Sequence, residues 1–72
     1  MRRFDVFGRI LGVERRGEQW AAFYLGADGT RREARDVVIP AAVPGEDLAR
    51  YLSEIFHESA TPRKPEVVEL DP

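Results

Sequence analysis

One segment of this chain carries a clear helical period. Leu48, Tyr51, Leu52, Ile55, Phe56 and Ser59 recur at i, i+3, i+4, i+7, i+8 and i+11. At about 100° per residue these positions share one arc. Glu46, Arg50, Ser53, Glu54 and His57 fall on the opposite arc. Pro44-Gly45-Glu46-Asp47 places a proline and two acids at the start, which suits the positive end of a helix dipole. Thr61-Pro62 is a stop, because the residue before proline avoids the α region. The helix is expected over about residues 45–59, with Glu46–Arg50 and Arg50–Glu54 as i,i+4 pairs on its wet side. A single amphipathic helix cannot bury its own stripe, so the rest of the chain must supply a surface for it.

That rest is rich in β-formers. A first strand is expected over about residues 3–14, with a bulge or bend near Gly8, because Phe4 and Val6 share one parity and Phe7 and Leu11 the other. Arg15-Arg16-Gly17-Glu18 reads as a turn. A second strand over about 19–26 alternates Trp20, Ala22 and Tyr24 with Ala21, Phe23 and Leu25. Gly26-Ala27-Asp28-Gly29 is the clearest hairpin signal, and a short, charged edge strand over about 30–35 follows it. Val37-Val38-Ile39 before Pro40 reads as a brief extended segment tucked into the core.

The economical fold is α+β: a three-stranded antiparallel β-meander with one C-terminal amphipathic helix on one face. Leu48, Leu52, Ile55 and Phe56 are expected to fill the core. Residues 1–60 would form a single small domain, and residues 61–72, with three prolines, a flexible tail. Val67-Val68-Glu69-Leu70 is the exception there, able to add itself as a strand to a sheet edge.

Seventy-two residues bury only about 60% of the surface exposed on unfolding. With no cysteine there is neither a disulfide staple nor a thiolate metal site, so such a chain is thinly stable or borrows surface from a partner or a second copy. No apolar run approaches the roughly 20 residues of a membrane span. The basic start Met1-Arg2-Arg3 is not followed by the apolar stretch of a secretory signal, since Asp5, Gly8 and Arg9 interrupt it. A cytoplasmic protein is expected. Residues 1–43 carry Arg2, Arg3, Arg9, Arg15, Arg16, Arg31, Arg32 and Arg35 against six acids, whereas residues 44–72 carry a net excess of acid, for −2 overall. Nucleic acid is therefore not a favoured partner, since phosphate binding wants a concentrated basic face. The asymmetry suits internal complementarity or two copies meeting head to tail. Arginine, unlike lysine, also suits bidentate carboxylate recognition.

Chemistry is hard to find in these residues. His57, the only histidine, lies on the helix's polar arc near its C-terminus, where the dipole favours a solvated imidazole. A site built from Glu54, His57 and Glu58 is the enzyme or metal alternative, but one histidine without cysteine is a poor ligand set. Thr30, Ser53, Ser59 and Thr61 offer hydroxyls with no recognisable spacing to His57. Gly8 and Gly12 lie in strand sequence, not at a strand-to-helix turn, so no phosphate cradle is expected. No catalytic residue, cofactor or metal ligand is assigned.

The sharper candidate is a surface. If the helix covers the Phe23 side, Trp20 and Tyr24 look outward, joined by Phe7 if Gly8 shifts the register. Trp, Tyr and Arg dominate binding hot spots. Arg31, Arg32 and Arg35 would flank this patch, as a solvated edge or as a dock for a carboxylate-rich partner or the chain's own acidic tail. The alternative arrangement has Trp20 plugging the core and the Phe23 side exposed. The expected function is a non-enzymatic protein-binding or accessory module, or a small homodimer. A small metal-binding or nucleic-acid-binding protein is the alternative.

The string Phe4-Asp5-Val6-Phe7-Gly8-Arg9, then Trp20, Phe23-Tyr24-Leu25-Gly26, Gly29, Arg31-Arg32, Val38-Ile39-Pro40, Tyr51-Leu52 and Phe56-His57-Glu58 with Ala60-Thr61-Pro62 resembles a group of short bacterial proteins classed as a domain of unknown function. The resemblance covers about residues 4–62 and implies no activity. A weaker, architectural likeness is to the MbtH-like proteins, small accessory proteins with a three-stranded sheet, a helix and tryptophans that help bind adenylation domains. This chain has Trp20 alone, without that family's serine–tryptophan–proline run or its tryptophan–threonine–aspartate segment. The likeness implies only the idea of a small protein that binds an enzyme.

Overall fold

The computed structural model describes residues 1–59, 62 and 66–70. The β-rich front folds into more strands than its periodicity suggests. β1 (Arg2–Val6) and β2 (Arg9–Arg16) are separate strands paired antiparallel, with Val6 opposite Arg9. The expected bend at Gly8 is thus a two-residue hairpin turn. Phe7 at φ 53° and Gly8 at φ 96° are both left-handed, the backbone that lets two strands close tightly with their native twist. Asp5 supports the turn by accepting the Gly8 N–H on Oδ1 at 2.7 Å.

β3 (Gln19–Leu25) follows a turn with Gly17 at φ 62°, and β4 (Arg31–Glu33) follows the Asp28-Gly29 hairpin. There the Asp28 carboxylate accepts the Thr30 hydroxyl at 2.7 Å, and Gly26 N–H donates to the Thr30 carbonyl at 2.8 Å. β5 (Val67–Glu69) pairs antiparallel with β1, and Leu70 N–H continues that ladder to the Arg3 carbonyl at 2.8 Å. The sheet is five-stranded and antiparallel, in the order β4-β3-β2-β1-β5. This corrects the three-stranded meander: one expected strand is two, and residues 67–69 add a fifth. It also departs from the three-stranded sheet on which the likeness to MbtH-like proteins rested. Val67–Glu69, within the exception marked in the expected tail, is an edge strand of the sheet. Residues 60, 61, 63–65, 71 and 72, with the Thr61-Pro62 stop signal's threonine, lie outside the described residues.

The helical span is α1 (Leu48–Ile55), with single 3-10 turns at Gly45–Asp47 and His57–Ser59. α1 lies over β1 and β5. Leu48 and Leu52 are fully buried against Phe4, Leu11 and Val13. Ile55, expected in the core, is 45% exposed, because the helix ends over the edge strand β5 rather than the sheet centre. On the wet side, Arg50 pairs with Asp47 at 3.3 Å, one helical turn back, in place of the expected Glu46 and Glu54 partners. The part of this face that α1 does not reach is covered by the chain after β4. Ala34, Val37 and Ile39 are buried in the same core, with Val43 packed beside them.

Leu52 is the centre of this arrangement. Leu52→Ala should lower unfolding stability by about 2–5 kcal/mol, the cost of lost transfer energy plus a cavity. Urea unfolding followed by circular dichroism should show a lower midpoint with an unchanged slope.

Candidate interaction surface

Residues opposite one another in an antiparallel ladder point to the same face. Phe4, Leu11 and Tyr24 are aligned across β1, β2 and β3, and Val13 is opposite Ala22. Trp20 and Tyr24 therefore face the helix side, with the core, and Phe23 faces the other side. This corrects the outward Trp20–Tyr24 patch. Trp20 is half-buried, and its Nε1–H donates to the Val43 carbonyl at 2.9 Å. The Tyr24 hydroxyl donates to Asp36 Oδ2 at 2.8 Å, and burial, aided by that carboxylate, raises its pKa. Both aromatics thus pin the segment that closes the core beyond the helix. Phe7 sits in the β1–β2 turn, half-buried against the core, and joins no patch.

The expected arginine group is divided as well. Arg32 lies on the helix side, 5.7 Å from the Tyr24 ring centre, and Arg31 lies on the other side, 4.7 Å from Phe23. Arg35 stands in the turn after β4, 3.6 Å from Glu33. The acidic C-terminal segment docks elsewhere. Arg2 Nε and Nη2 each donate at 2.7 Å to the two carboxylate oxygens of Glu69, and Nη1 donates to the Gly45 carbonyl at 2.8 Å. One guanidinium on β1 thereby holds β5 and the turn that starts the helix. A Cβ at Gly45 would lie 2.6 Å from Arg2 Nη1, so the guanidinium would have to shift to make room for one. The hydrogen bonds from Arg2 hold the Glu69 carboxyl below its ordinary pKa.

The face away from the helix carries Arg3, Asp5, Ile10, Gly12, Glu14, Arg16, Ala21, Phe23, Leu25, Arg31, Glu33 and Val68. Among the described residues no helix or strand packs on it. Phe23 is nonetheless only 6% exposed, because Arg16 and Arg31 stack on its ring at 5.0 and 4.7 Å. Beside it, Ile10, Leu25 and Leu70 line an open groove of about 460 Å³ between the β3–β4 hairpin and the end of β5, with Arg3 at its margin. Val68 on this face is 52% exposed. Alternation in β3 could have located this surface, but only once the helix side was known.

Glu54, His57 and Glu58 are exposed at the end of the helical span, and His57 Nδ1 lies 3.3 Å from the Glu54 carbonyl oxygen. Among the described residues no three His, Cys, Asp or Glu side chains are grouped to hold a metal ion. None of the described helices is long and apolar enough to cross a membrane.

Trp20→Phe should cost about 0.5–1.5 kcal/mol for the lost Val43 hydrogen bond, read by urea unfolding with circular dichroism. The Glu69 pKa is lower folded than unfolded. Its contribution to stability is therefore present above the ordinary carboxylate range and lost as pH falls through the folded value. Amide resonances of Val67–Leu70 should shift in acid, and Glu69→Gln should abolish that acid step.

No curated protein and no solved structure matches the sequence. The model of a family described as a domain of unknown function, DUF7661, matches residues 1–71, from before β1 to beyond β5. The match takes in the whole sheet and the helix, and the chain belongs to that family.

Proposed function

We propose that this protein is a non-enzymatic, cytoplasmic protein-binding module that acts as an accessory to a partner protein. The observation that carries the reading is the open sheet face, with an apolar groove lined by Ile10, Leu25 and Leu70 together with Arg3, beside Phe23 and the Arg16 and Arg31 groups that cap it. Apolar side chains in a shallow concavity with arginine beside them are a surface that protein partners anchor on. The Phe23 ring, buried under Arg16 and Arg31, holds those two guanidinium groups in place on this face. The absence of cysteine agrees with a reducing compartment. Among the described residues no arrangement favours a phosphate-binding role: their arginines are divided between the two faces of the sheet, whereas phosphate tracking needs them on one.

Leu25→Lys places a charge in the groove without touching the core on the helix side. Affinity capture from native cytoplasm, read by mass spectrometry, should enrich a protein with the wild-type chain and lose it with the variant, while circular dichroism is unchanged. Equal capture by both chains would refute the open face as the binding surface. Recovery of the chain alone, with a doubled mass by light scattering that Leu25→Lys halves, would make the partner a second copy.

A further inference from the structure

β4 is shorter than the strand it pairs with. It is matched to Phe23, Tyr24 and Leu25, and the last rung is Ala34 N–H to the Ala22 carbonyl at 2.9 Å. The chain then turns away at Arg35-Asp36. β3 begins at Gln19, so Gln19–Ala21 are paired with β2 only. Alternate residues of a strand direct both backbone groups to the same neighbour. Tyr24 and Ala22 turn theirs toward β4, so Trp20 turns its N–H and C=O toward the edge that β4 has vacated. No described residue bonds to either group. Along this edge runs an open cleft of about 620 Å³, whose walls include Arg16, Ala34, Arg35 and Val38. Val38 is 72% exposed, and the Arg35 side chain is 87% exposed.

We infer that this cleft takes a short extended segment of a partner protein, acidic and aliphatic, which adds to the sheet beside Trp20. The segment's backbone supplies the donor and acceptor that Trp20 lacks, the mode of recognition by which a sheet edge captures a strand. Side chains of the added strand alternate between faces. An aliphatic one packs on Val38, and a carboxylate reaches the guanidinium groups of Arg16 and Arg35. Arg16 pairs with Glu14 at 2.8 Å and Arg35 with Glu33 at 3.6 Å, exposed pairs that a partner carboxylate would share. Among the described residues lining the cleft, Arg16 and Arg35 outnumber the one acid, Glu33, so the lining is net positive. The same charge disfavours a second copy, which would bring Arg16 and Arg35 of both chains together. The cleft adjoins the open face and shares Arg16 with it, but the backbone edge at Trp20 lies apart from the groove of Ile10, Leu25 and Leu70.

The test is a titration of the full, 15N-labelled chain with the capped peptide Val-Glu-Val-Glu-Val. Controls are the peptide with lysine for glutamate and the acidic peptide N-methylated at its central residue. Amide shifts should concentrate at Gln19–Ala22 and Glu33–Val38, and the Trp20 amide should gain protection from hydrogen exchange. N-methylation should abolish binding. Arg35→Glu, at an exposed position, should weaken it about two- to fivefold, the scale of an exposed charge pair, with an otherwise unchanged spectrum. The inference is overturned by no shift at millimolar acidic peptide, by equal binding of the N-methylated or lysine peptide, or by shifts confined to Ile10, Leu25 and Leu70. Trp20 protection in the free protein that rises with protein concentration would also overturn it, by naming a second copy as occupant.

Discussion

Two consecutive left-handed residues, Phe7 and Gly8, set the plan of the whole sheet. Without that reversal the first fourteen residues would be one strand with edges too long for the rest of the chain to cover. With it, β1 folds back on β2, and its far edge is free to receive β5. β1 then lies where α1 can bury Leu48 and Leu52 on Phe4. A phenylalanine at positive φ is disfavoured by its Cβ. Here the Asp5 carboxylate bonded to the Gly8 N–H and the packing of the Phe7 ring on the core offset that cost.

The second constraint is size. A domain this small has too few elements to cover both faces of a sheet, and this one uses guanidinium groups as cover. Arg15 lies 3.9 Å from the Trp20 ring, Arg9 4.4 Å from Tyr24, and Arg16 and Arg31 flank Phe23. Each stack at an exposed site contributes about 0.5–1 kcal/mol. Its larger effect is to dry an aromatic face with a group that remains soluble. Arginine can do this because its planar, weakly hydrated head stacks, where a lysine ammonium stays in water. The arginine-rich composition that suggested carboxylate docking thus serves mainly the protein's own rings, with Arg2 and Glu69 as the bidentate exception.

The same economy shapes the surfaces a partner could meet. Trp20 and Tyr24 spend their polar atoms on Val43 and Asp36, which straps the segment after β4 across the core. That strap leaves β4 short, and a short β4 leaves the edge at Trp20 open. The open sheet face has its apolar floor at Ile10 and Leu25 because the start of β2 and the end of β3 each turn one large aliphatic side chain away from the helix. The open face and the open edge are the remainder of a core that covers one side of the sheet only.

The sequence alone determined the local elements: the helix centred on Leu48 and Leu52, the Asp28-Gly29 hairpin, the alternation in β3, the burial of Val37 and Ile39 though not of Val38 between them, which is 72% exposed, and the capacity of Val67–Leu70 to join an edge. Each is written in spacing or turn chemistry within a few residues. At Phe7-Gly8 the sequence signals only a bulge or bend, since nothing local marks a phenylalanine for left-handed backbone. Tertiary structure decided which side of the sheet the helix takes. Both sides of β3 offer aromatics, and alternation is blind to which is inward. The choice follows from burying Phe4, Val6, Leu11 and Val13 together, which brings Trp20 and Tyr24 with them. That same choice put the arginines on two faces and left Ile10, Leu25 and the Trp20 edge to solvent.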